Sequence, residues 1–398
     1  MMYETYDNEI LNEFRAISHP RLGVVGGGQL AKMTALAALQ LGCEVIVLER
    51  NNYSPAAQLA TQSLVGNWDD PEALIKLASK TDVVSIENEF LDPDALEIIE
   101  KSGRPLYPST ATLRRIQDKL IQKQTLSEVG LETPQYAKVN RAQDIVTFAE
   151  ATGWPVVLKT RRNGYDGKGN FTVSGAAEVS AAWSVLDGNQ RALYVEEFCE
   201  FTSELATIIT RGIDGSVVQY PVVETVQSNL ICHLVRAPAQ VSGEIAKKAA
   251  YLALKAIEAI DGVGSFGVEM FLTRDGRVMI NELAPRVHNS GHYTIDPCVC
   301  SQFENHVRAV MGWPLGSAEM LSPVAVMVNL LGSTRGPGAP SGMDRALGVS
   351  GAHVHIYGKA MSGSGRKMGH ITAVGKNLEE AEKIARQAAD LIQFGVSK

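Results

Sequence analysis

No apolar run in the sequence approaches the roughly 20 residues that cross a bilayer, so no membrane partner is expected. A basic excess is missing too: 37 Lys and Arg stand against 44 Asp and Glu, for a net charge of -7. That balance gives no electrostatic case for nucleic acid. Cysteine is sparse and odd in number, with Cys43, Cys199, Cys232, Cys298 and Cys300 scattered along 398 residues. A disulfide framework is disfavoured, and the C-x-C of Cys298 and Cys300 lacks the second pair of a metal site. Reduced thiols fit a cytoplasmic location. The opening MMYETYDNEILNEFRAISHP sets Glu4, Asp7, Glu9 and Glu13 against Arg15, without the basic start and apolar middle of a secretory signal. Residues 1–20 are expected to form an extension, to which no function is assigned. The P-loop pattern G-x-x-x-x-G-K-[ST] is also absent.

What is present begins with GVVGGGQLA at 23–31, where Gly26, Gly28 and Ala31 satisfy G-x-G-x-x-[GA]. This is the signature of a strand turning tightly into a helix that can hold a phosphate at its N-terminus. Glu49 closes the next apolar run, VIVLE, near the spacing of a ribose-binding acid. Taken alone, the stretch reads as a nicotinamide dehydrogenase. The chain is too long for one core, however, and two or three domains are expected. From Arg21 to about Pro108, LGVV, EVIVLE and DVVSIE alternate with helical spacing, as in a small doubly wound unit. From about Lys119 to Glu304, β-rich runs such as PVVLK, FTVS, LYVEE and ELATIIT are separated by glycine turns. The remainder holds short strands and a terminal helix, LEEAEKIARQAADLI.

Five constellations carry chemistry. VVLKTRRNGYDGKGNFTV places Lys159 at a strand end before a loop with Gly164, Gly167 and Gly169. Glycines let backbone N–H groups approach phosphate oxygens, and a lysine supplies a point charge; an ordinary hairpin with solvated charges would read the same. LYVEEFCEF sets Glu196 and Glu197 at another strand end, followed by Glu204, which suits a purine edge and ribose hydroxyls but equally an exposed strand. Glu269 in FGVEMFL and Glu282 in MINELAP lie in apolar strands, where an acid is costly unless paired or metal-bound. The hairpin at Arg274, Asp275 and Gly276 would bring them together as an oxygen site suited to Mg²⁺; a salt bridge to Arg286 is the alternative. Two polar segments complete the set. NELAPRVHNSGH holds Arg286, His288, Asn289, Ser290 and His292, and YGKAMSGSGRKMGH gathers Lys359, Arg366 and Lys367 around glycines as an anion grip or a surface hairpin.

The order of a strand-end lysine, GYDGKG, VEEF with a following glutamate, and NELAPRVHNSGH resembles the ATP-grasp superfamily. Within it, NELAPRVHNSGH and GRKMGH are similar to the N5-carboxyaminoimidazole ribonucleotide synthetase family, the ATPase half of a two-part carboxylase. The resemblance runs from about Arg21 to the C-terminus. It implies an α/β fold of ATP-grasp architecture: a Rossmann-like substrate domain at 21–118, an α+β ATP-grasp domain at 119–305, and a small β-rich C-terminal domain at 306–398. In that family the glycine turn faces the acceptor substrate and binds no dinucleotide. The implied reaction is carboxylation of 5-aminoimidazole ribonucleotide by ATP and bicarbonate through carboxyphosphate, in purine biosynthesis. A cytoplasmic homodimer that passes its product to a separate mutase is also implied.

Carried over by motif, Lys119 and Lys159 would hold ATP phosphates beneath the loop Gly164, Tyr165, Asp166, Gly167, Lys168, Gly169 and Asn170. Glu196, Glu197, Phe198 and Cys199 would line the adenine hinge, with Glu204 on the ribose and Gln227 and Asn281 nearby. Glu269 and Glu282 would hold Mg²⁺, and Arg286 would grip bicarbonate and carboxyphosphate. Gln29, Leu30, Glu87, Glu89, His288, Asn289, Ser290, Lys359, Arg366 and Lys367 would surround the ribonucleotide, with Lys359 also catalytic. Tyr165 and Asp166 sit where a proton from the amine could go. The chain departs from the pattern at Thr225, where relatives often carry Asn, and at Gln227, where some carry His. The rivals are a formate-dependent glycinamide ribonucleotide transformylase, which has a glutamate in place of Gln29, the dehydrogenase, and a non-catalytic nucleotide-binding scaffold.

Overall fold

The computed structural model describes residues 19–164 and 167–395. The expected extension lies outside them except for His19 and Pro20, and so do Tyr165 and Asp166. The chain opens with strands β1 (Arg21–Val25), β2 (Glu44–Glu49), β3 (Gln62–Val65), β4 (Val83–Ile86) and β5 (Leu106–Tyr107), all parallel in the order β3-β2-β1-β4-β5. Nearly every residue of β1, β2 and β4 is buried, as parallel strands covered on both faces require. Helices α1 (Gln29–Gln40), α2 (Pro71–Lys80), α3 (Pro93–Lys101), α4 (Thr110–Gln117) and α5 (Lys119–Glu128) accompany them. Asp70 and Asp92 cap α2 and α3 ahead of a proline at the first helical position. Asp118 caps α5 through the N–H groups of Leu120 and Ile121 and takes a two-point contact from Arg161. That cap fixes Lys119 at the first turn of α5.

Next comes an antiparallel sheet of β6 (Tyr136–Val139), β7 (Val156–Thr160), β8 (Asn170–Val173) and β9 (Leu193–Glu197), in the order β6-β9-β7-β8. Helices α6 (Ala142–Thr152) and α7 (Val179–Val185) bury Ile145, Ala149, Val179 and Ala182 against it. A larger sheet follows, built from β10 (Phe201–Arg211), β11 (Val217–Gln219), β12 (Val223–Ser228), β13 (Ile231–Ala237), β14 (Gly264–Thr273) and β15 (Val278–Ala284). Helix α8 (Gly243–Ala259) packs Ala249, Leu252, Ala253, Ala256 and Ile257 on Leu205, Phe266, Val268 and Ile280. A 3₁₀ turn at Asn289–Ile295 and helix α9 (Gln302–Val310) come next.

The same sheet continues past residue 305. Strand β16 (Val324–Leu331) pairs with β13, setting Leu234 opposite Val328, and the sheet runs β15-β14-β10-β12-β13-β16-β20-β18 among the described residues. Strands β17 (Gly336–Pro337), β18 (Ala352–Ile356), β19 (Met361–Ser362) and β20 (Lys367–Gly375), with helices α10 (Met343–Leu347) and α11 (Leu378–Ala389), complete the C-terminal part. Pairing covers an edge of β13 that would otherwise expose unpaired backbone. Two ties, the first partly and the second fully buried, lock the parts together. Lys32 on α1 donates to the carbonyls of Ile356 and Tyr357 at 3.0 and 3.1 Å. His306 on α9 accepts from the Ser265 N–H at 3.0 Å and lies 2.9 Å from Ser85 Oγ on β4.

Candidate active site

The glycine turn after β1 is closed by the protein's own carboxylates. Gly26 adopts φ of +100°, a region that favours glycine. The Gly27 N–H donates to Glu49 at 2.8 Å and the Gly28 N–H to Glu87 at 2.6 Å. A Cβ at Gly28 would collide with the Glu87 carboxylate. The donors that a dinucleotide pyrophosphate would use are therefore spent, and Glu49 is buried against the turn. Leu30 is buried in the core with Val24 and Ala35, whereas Gln29 stays half-buried at the start of α1. Burial pushes the Glu87 carboxyl up, and the Gly28 N–H and the charge of Lys359 pull it back. Glu87 thereby links the first turn to the C-terminal glycine loop.

On the large sheet, the hairpin between β14 and β15 sets Glu269 opposite Glu282. The register shifts at that point, so Asn281 is the extra residue of a bulge beside the pair. Lys119 Nζ stands 3.0 Å from Glu282 Oε2, and His288 Nε2 stands 3.4 Å from Glu269 Oε1. Burial, then the charges of Glu282 and Glu204, hold Glu269 well above the usual carboxylate range. Glu204 lies opposite Thr225 in the register; burial pushes it up while the side chains of Gln227 and Thr225 hydrogen-bond to it. The two positions where this chain departs from the family pattern therefore meet on one acid.

At the end of β7, Lys159 donates to Glu196 at 2.8 Å, and Lys123 of α5 approaches the other oxygen of Glu196 at 3.3 Å. Burial opposes the Glu196 charge, but Lys123 and Lys159 outweigh it and bring the carboxyl down to about 2. The Glu196 side chain thus faces the lysines. Glu197 turns the other way and accepts from Gln135 N at 3.0 Å. Phe198 is exposed, and burial pushes the Cys199 thiol up to about 11. A shallow cavity of about 270 Å³ is lined by Glu197, Phe198, Cys199, Arg274 and Met279. Across the strand pair, Asn170 sits opposite Lys159. Gly167 and Gly169 adopt φ of +73° and +88°, and a Cβ at Gly167 would strike Leu230 at the tip of the β12–β13 hairpin. Gly164 and Lys168 belong to the same loop, while the expected roles of Tyr165 and Asp166 lie outside the described residues.

Between these groups, Arg286 grips Glu89 with Nε and NH2 at 2.6 and 2.9 Å. Burial works against the Glu89 charge, yet Arg286 holds it below the usual carboxylate range. His288 is brought down to about 3 by burial and then by the Arg286 charge, so it is a neutral imidazole. Its Nδ1 lies 2.9 Å from Ser290 Oγ. Asn289 exchanges two amide hydrogen bonds with Asn329 at 2.9 and 2.7 Å. Asn289 and Ser290, expected against the ribonucleotide, are buried in this arrangement. In the C-terminal loop, Lys359 donates to the Lys367 carbonyl at 2.7 Å, and the Lys367 charge acts on Glu269 and His288. Arg366 is exposed and donates to the Met361 carbonyl at 2.7 Å. Lys123, one helical turn beyond Lys119 on α5, joins the Glu196 cluster without any mark in the sequence to set it apart from a solvated lysine.

The N-terminal unit matches the ribonucleotide synthetase preATP-grasp domain over residues 20–117, and the central region matches the ATP-grasp domain over 124–303. Residues 325–384 match the phosphoribosylaminoimidazole carboxylase C-terminal domain. The N5-carboxyaminoimidazole ribonucleotide synthase of Synechococcus elongatus is 41% identical over 93% of this chain and 93% of its own length. The chain belongs to the N5-carboxyaminoimidazole ribonucleotide synthase family. The Thermotoga maritima synthetase structure covers 94% of this chain and 99% of its own at 39% identity, with a TM-score of 0.85. The Aspergillus clavatus synthase, solved with ADP and 5-aminoimidazole ribonucleotide, covers 94% and 98% at 38% identity and a TM-score of 0.86. Among longer relatives, the phosphoribosylaminoimidazole carboxylase of Ogataea methanolica is 41% identical, and the chain spans 68% of it. For the Candida albicans carboxylase the share spanned is 65%. The synthase family is an ATP-grasp ligase family, and its three-part architecture is the one seen here. That membership removes the nicotinamide dehydrogenase reading of the first turn, as does the filling of that turn by Glu49 and Glu87.

Proposed function

We propose that the protein carboxylates 5-aminoimidazole ribonucleotide on its exocyclic amine, using ATP and bicarbonate and releasing ADP and phosphate. The observation that carries this reading is the convergence of three ionic clusters: Lys159 with Glu196, Lys119 with Glu282 and Glu269, and Arg286 with Glu89. Bicarbonate is a poor electrophile. Its oxygen attacks the γ-phosphorus, ADP leaves, and carboxyphosphate results. The amine nitrogen then attacks the carboxyl carbon, phosphate departs, and the nitrogen loses a proton. Such transfers need positioning and charge neutralisation more than covalent chemistry. Lys119 and Lys159 hold phosphates, and Glu204 with Gln227 receives the ribose. Arg286 presents the guanidinium that orients bicarbonate, and neutral His288 sits beside it. Lys359, Arg366 and Lys367 take the phosphate end of the ribonucleotide near Glu87.

Glu269 and Glu282 fit a hard divalent cation, because two adjacent carboxylates repel and one is already driven toward its neutral form. Among the described residues no group of three acid, His or Cys side chains could hold a metal ion. The pair therefore suits Mg²⁺ arriving with phosphate oxygens, which it would screen. The same reading makes the protein a cytoplasmic homodimer whose product passes to a mutase; light scattering tests the dimer. The activity is tested by ADP release with Mg²⁺ and bicarbonate, which should rise strongly when aminoimidazole ribonucleotide is added. Faster turnover with glycinamide ribonucleotide and formate would reject this reading.

A further inference from the structure

Lys123 carries a charge that the chemistry above does not use. It lies one turn beyond Lys119 on α5 and is 1% exposed. Its Nζ stands 3.3 Å from Glu196 Oε1 and 3.4 Å from the Ile280 carbonyl. The other oxygen of Glu196 takes Lys159 at 2.8 Å. One carboxylate is thus flanked by two ammonium groups, which leaves the trio with an excess of one positive charge. The two lysines are not equivalent. The Lys159 side chain is 16% exposed at the end of β7 beside the glycine loop, whereas that of Lys123 is 2% exposed. Only Lys159 can meet a ligand.

We propose that Lys123 is a positioning residue for nucleotide binding: it neutralises Glu196 so that the Lys159 charge stays available to phosphate. Burying an ammonium is costly, and a buried ion pair is weak grounds for stability alone. With Lys123 removed, Glu196 would pair one-to-one with Lys159. An arriving phosphate would then compete with a carboxylate at short range and low dielectric. With Lys123 in place, Glu196 keeps a partner while Lys159, which has three donors, turns toward the phosphates. This inference rests on the cleft being a nucleotide site and deepens that reading.

The test is ADP binding by calorimetry to the wild-type chain, Lys123→Met, Glu196→Gln and the double variant, with the Michaelis constant for aminoimidazole ribonucleotide followed in parallel. In the wild-type background, Lys123→Met should weaken ADP about tenfold; in the Glu196→Gln background the same change should cost less than about twofold. The ribonucleotide constant should not move. Unchanged ADP affinity in Lys123→Met, or equal weakening in both backgrounds, overturns the proposal. Absence of ADP binding by the wild-type chain is a different result, which removes the nucleotide reading itself. Lys123→Gln, which keeps a donor for the Ile280 carbonyl, stands in if the methionine variant does not fold, and the same outcomes apply to it.

Discussion

Arg286 and Glu89 form a two-point clamp, with Nε 2.6 Å from Oε2 and NH2 2.9 Å from Oε1. Their side chains are 17% and 16% exposed, so the pair sits in the cleft wall rather than in bulk water. The clamp joins the end of the first sheet to the segment after β15 and fixes the plane of the guanidinium. Its remaining nitrogen, NH1, donates to the Val287 carbonyl at 3.3 Å. An incoming oxyanion therefore meets an arginine whose orientation is already set.

Glu89→Gln leaves that arginine charged and poorly compensated. Breaking one side of a largely buried pair should cost about 3 kcal/mol of stability, read as a lower urea midpoint. Arg286→Lys keeps the charge but cannot reproduce the fork. Its turnover should fall about a hundredfold, in the range seen when one preorganised oxyanion donor is lost. Wild-type kinetics in Arg286→Lys would remove the guanidinium from the reacting centre.

For the paired carboxylates, Glu282→Gln should lower turnover by about two orders of magnitude or more while the fold is kept, because a neutral amide holds Mg²⁺ less well and the cation is what screens the phosphate charge. The substitution also deletes the partner of Lys119, 3.0 Å away. Circular dichroism establishes that the fold is kept, and ADP release at several Mg²⁺ concentrations gives the loss. Near-normal turnover at saturating Mg²⁺ would exclude Glu282 as an essential ligand.

Acid stability offers a test of the tie between the first sheet and the large one. His306 is brought down to about 4 by burial. Its Nδ1 accepts from the Ser265 N–H, so the protonated ring has no place there. Folding favours the neutral form, and the unfolded chain binds the proton first. The contribution is therefore complete above about pH 6.5 and declines as the pH falls toward about 4, by about 3 kcal/mol for this shift. His288 is lowered in the same direction and adds to the loss. Unfolding midpoints between pH 7 and pH 4 should show the decline, and His306→Gln should flatten part of it. A stability profile that is level over that window, in either protein, contradicts this account.

The strands were legible because buried parallel strands need unbroken apolar runs, and LGVV, EVIVLE and VVSI are such runs. The joining of β13 to β16 was not, since it pairs residues about ninety positions apart and periodicity is a local signal. In the site, Glu269 and Glu282 stood out as acids in apolar strands. Lys123 did not, because KLIQK reads as one solvated helix face until the fold buries it beside Glu196. Asn289 shows a different ambiguity. A polar segment reads alike whether it faces a ligand or, as with Asn289 and Asn329, another buried amide. Glu49 shows the same ambiguity for a carboxylate at a ribose-like spacing, which here holds a backbone N–H.

The C-terminal cations separate binding of the ribonucleotide from binding of ATP. Arg366 is exposed and contacts the Met361 carbonyl of its own loop, so its removal should leave the melting temperature almost unchanged. If the loop closes on the ribonucleotide phosphate, that arginine gains a charge-assisted contact only in the complex. Arg366→Ala should then raise the Michaelis constant for the ribonucleotide about tenfold to a hundredfold and leave that for ATP in place. Lys359 is half-buried, acts on Glu87 and is anchored on the Lys367 carbonyl. Lys359→Ala should therefore lower turnover as well as ribonucleotide affinity, because it disturbs the acid that holds the glycine turn. Steady-state kinetics with each substrate varied in turn separate the two effects. Equal weakening of ATP and ribonucleotide by Arg366→Ala would mean that the loop bridges both sites, and an unchanged ribonucleotide constant would place Arg366 outside the substrate site.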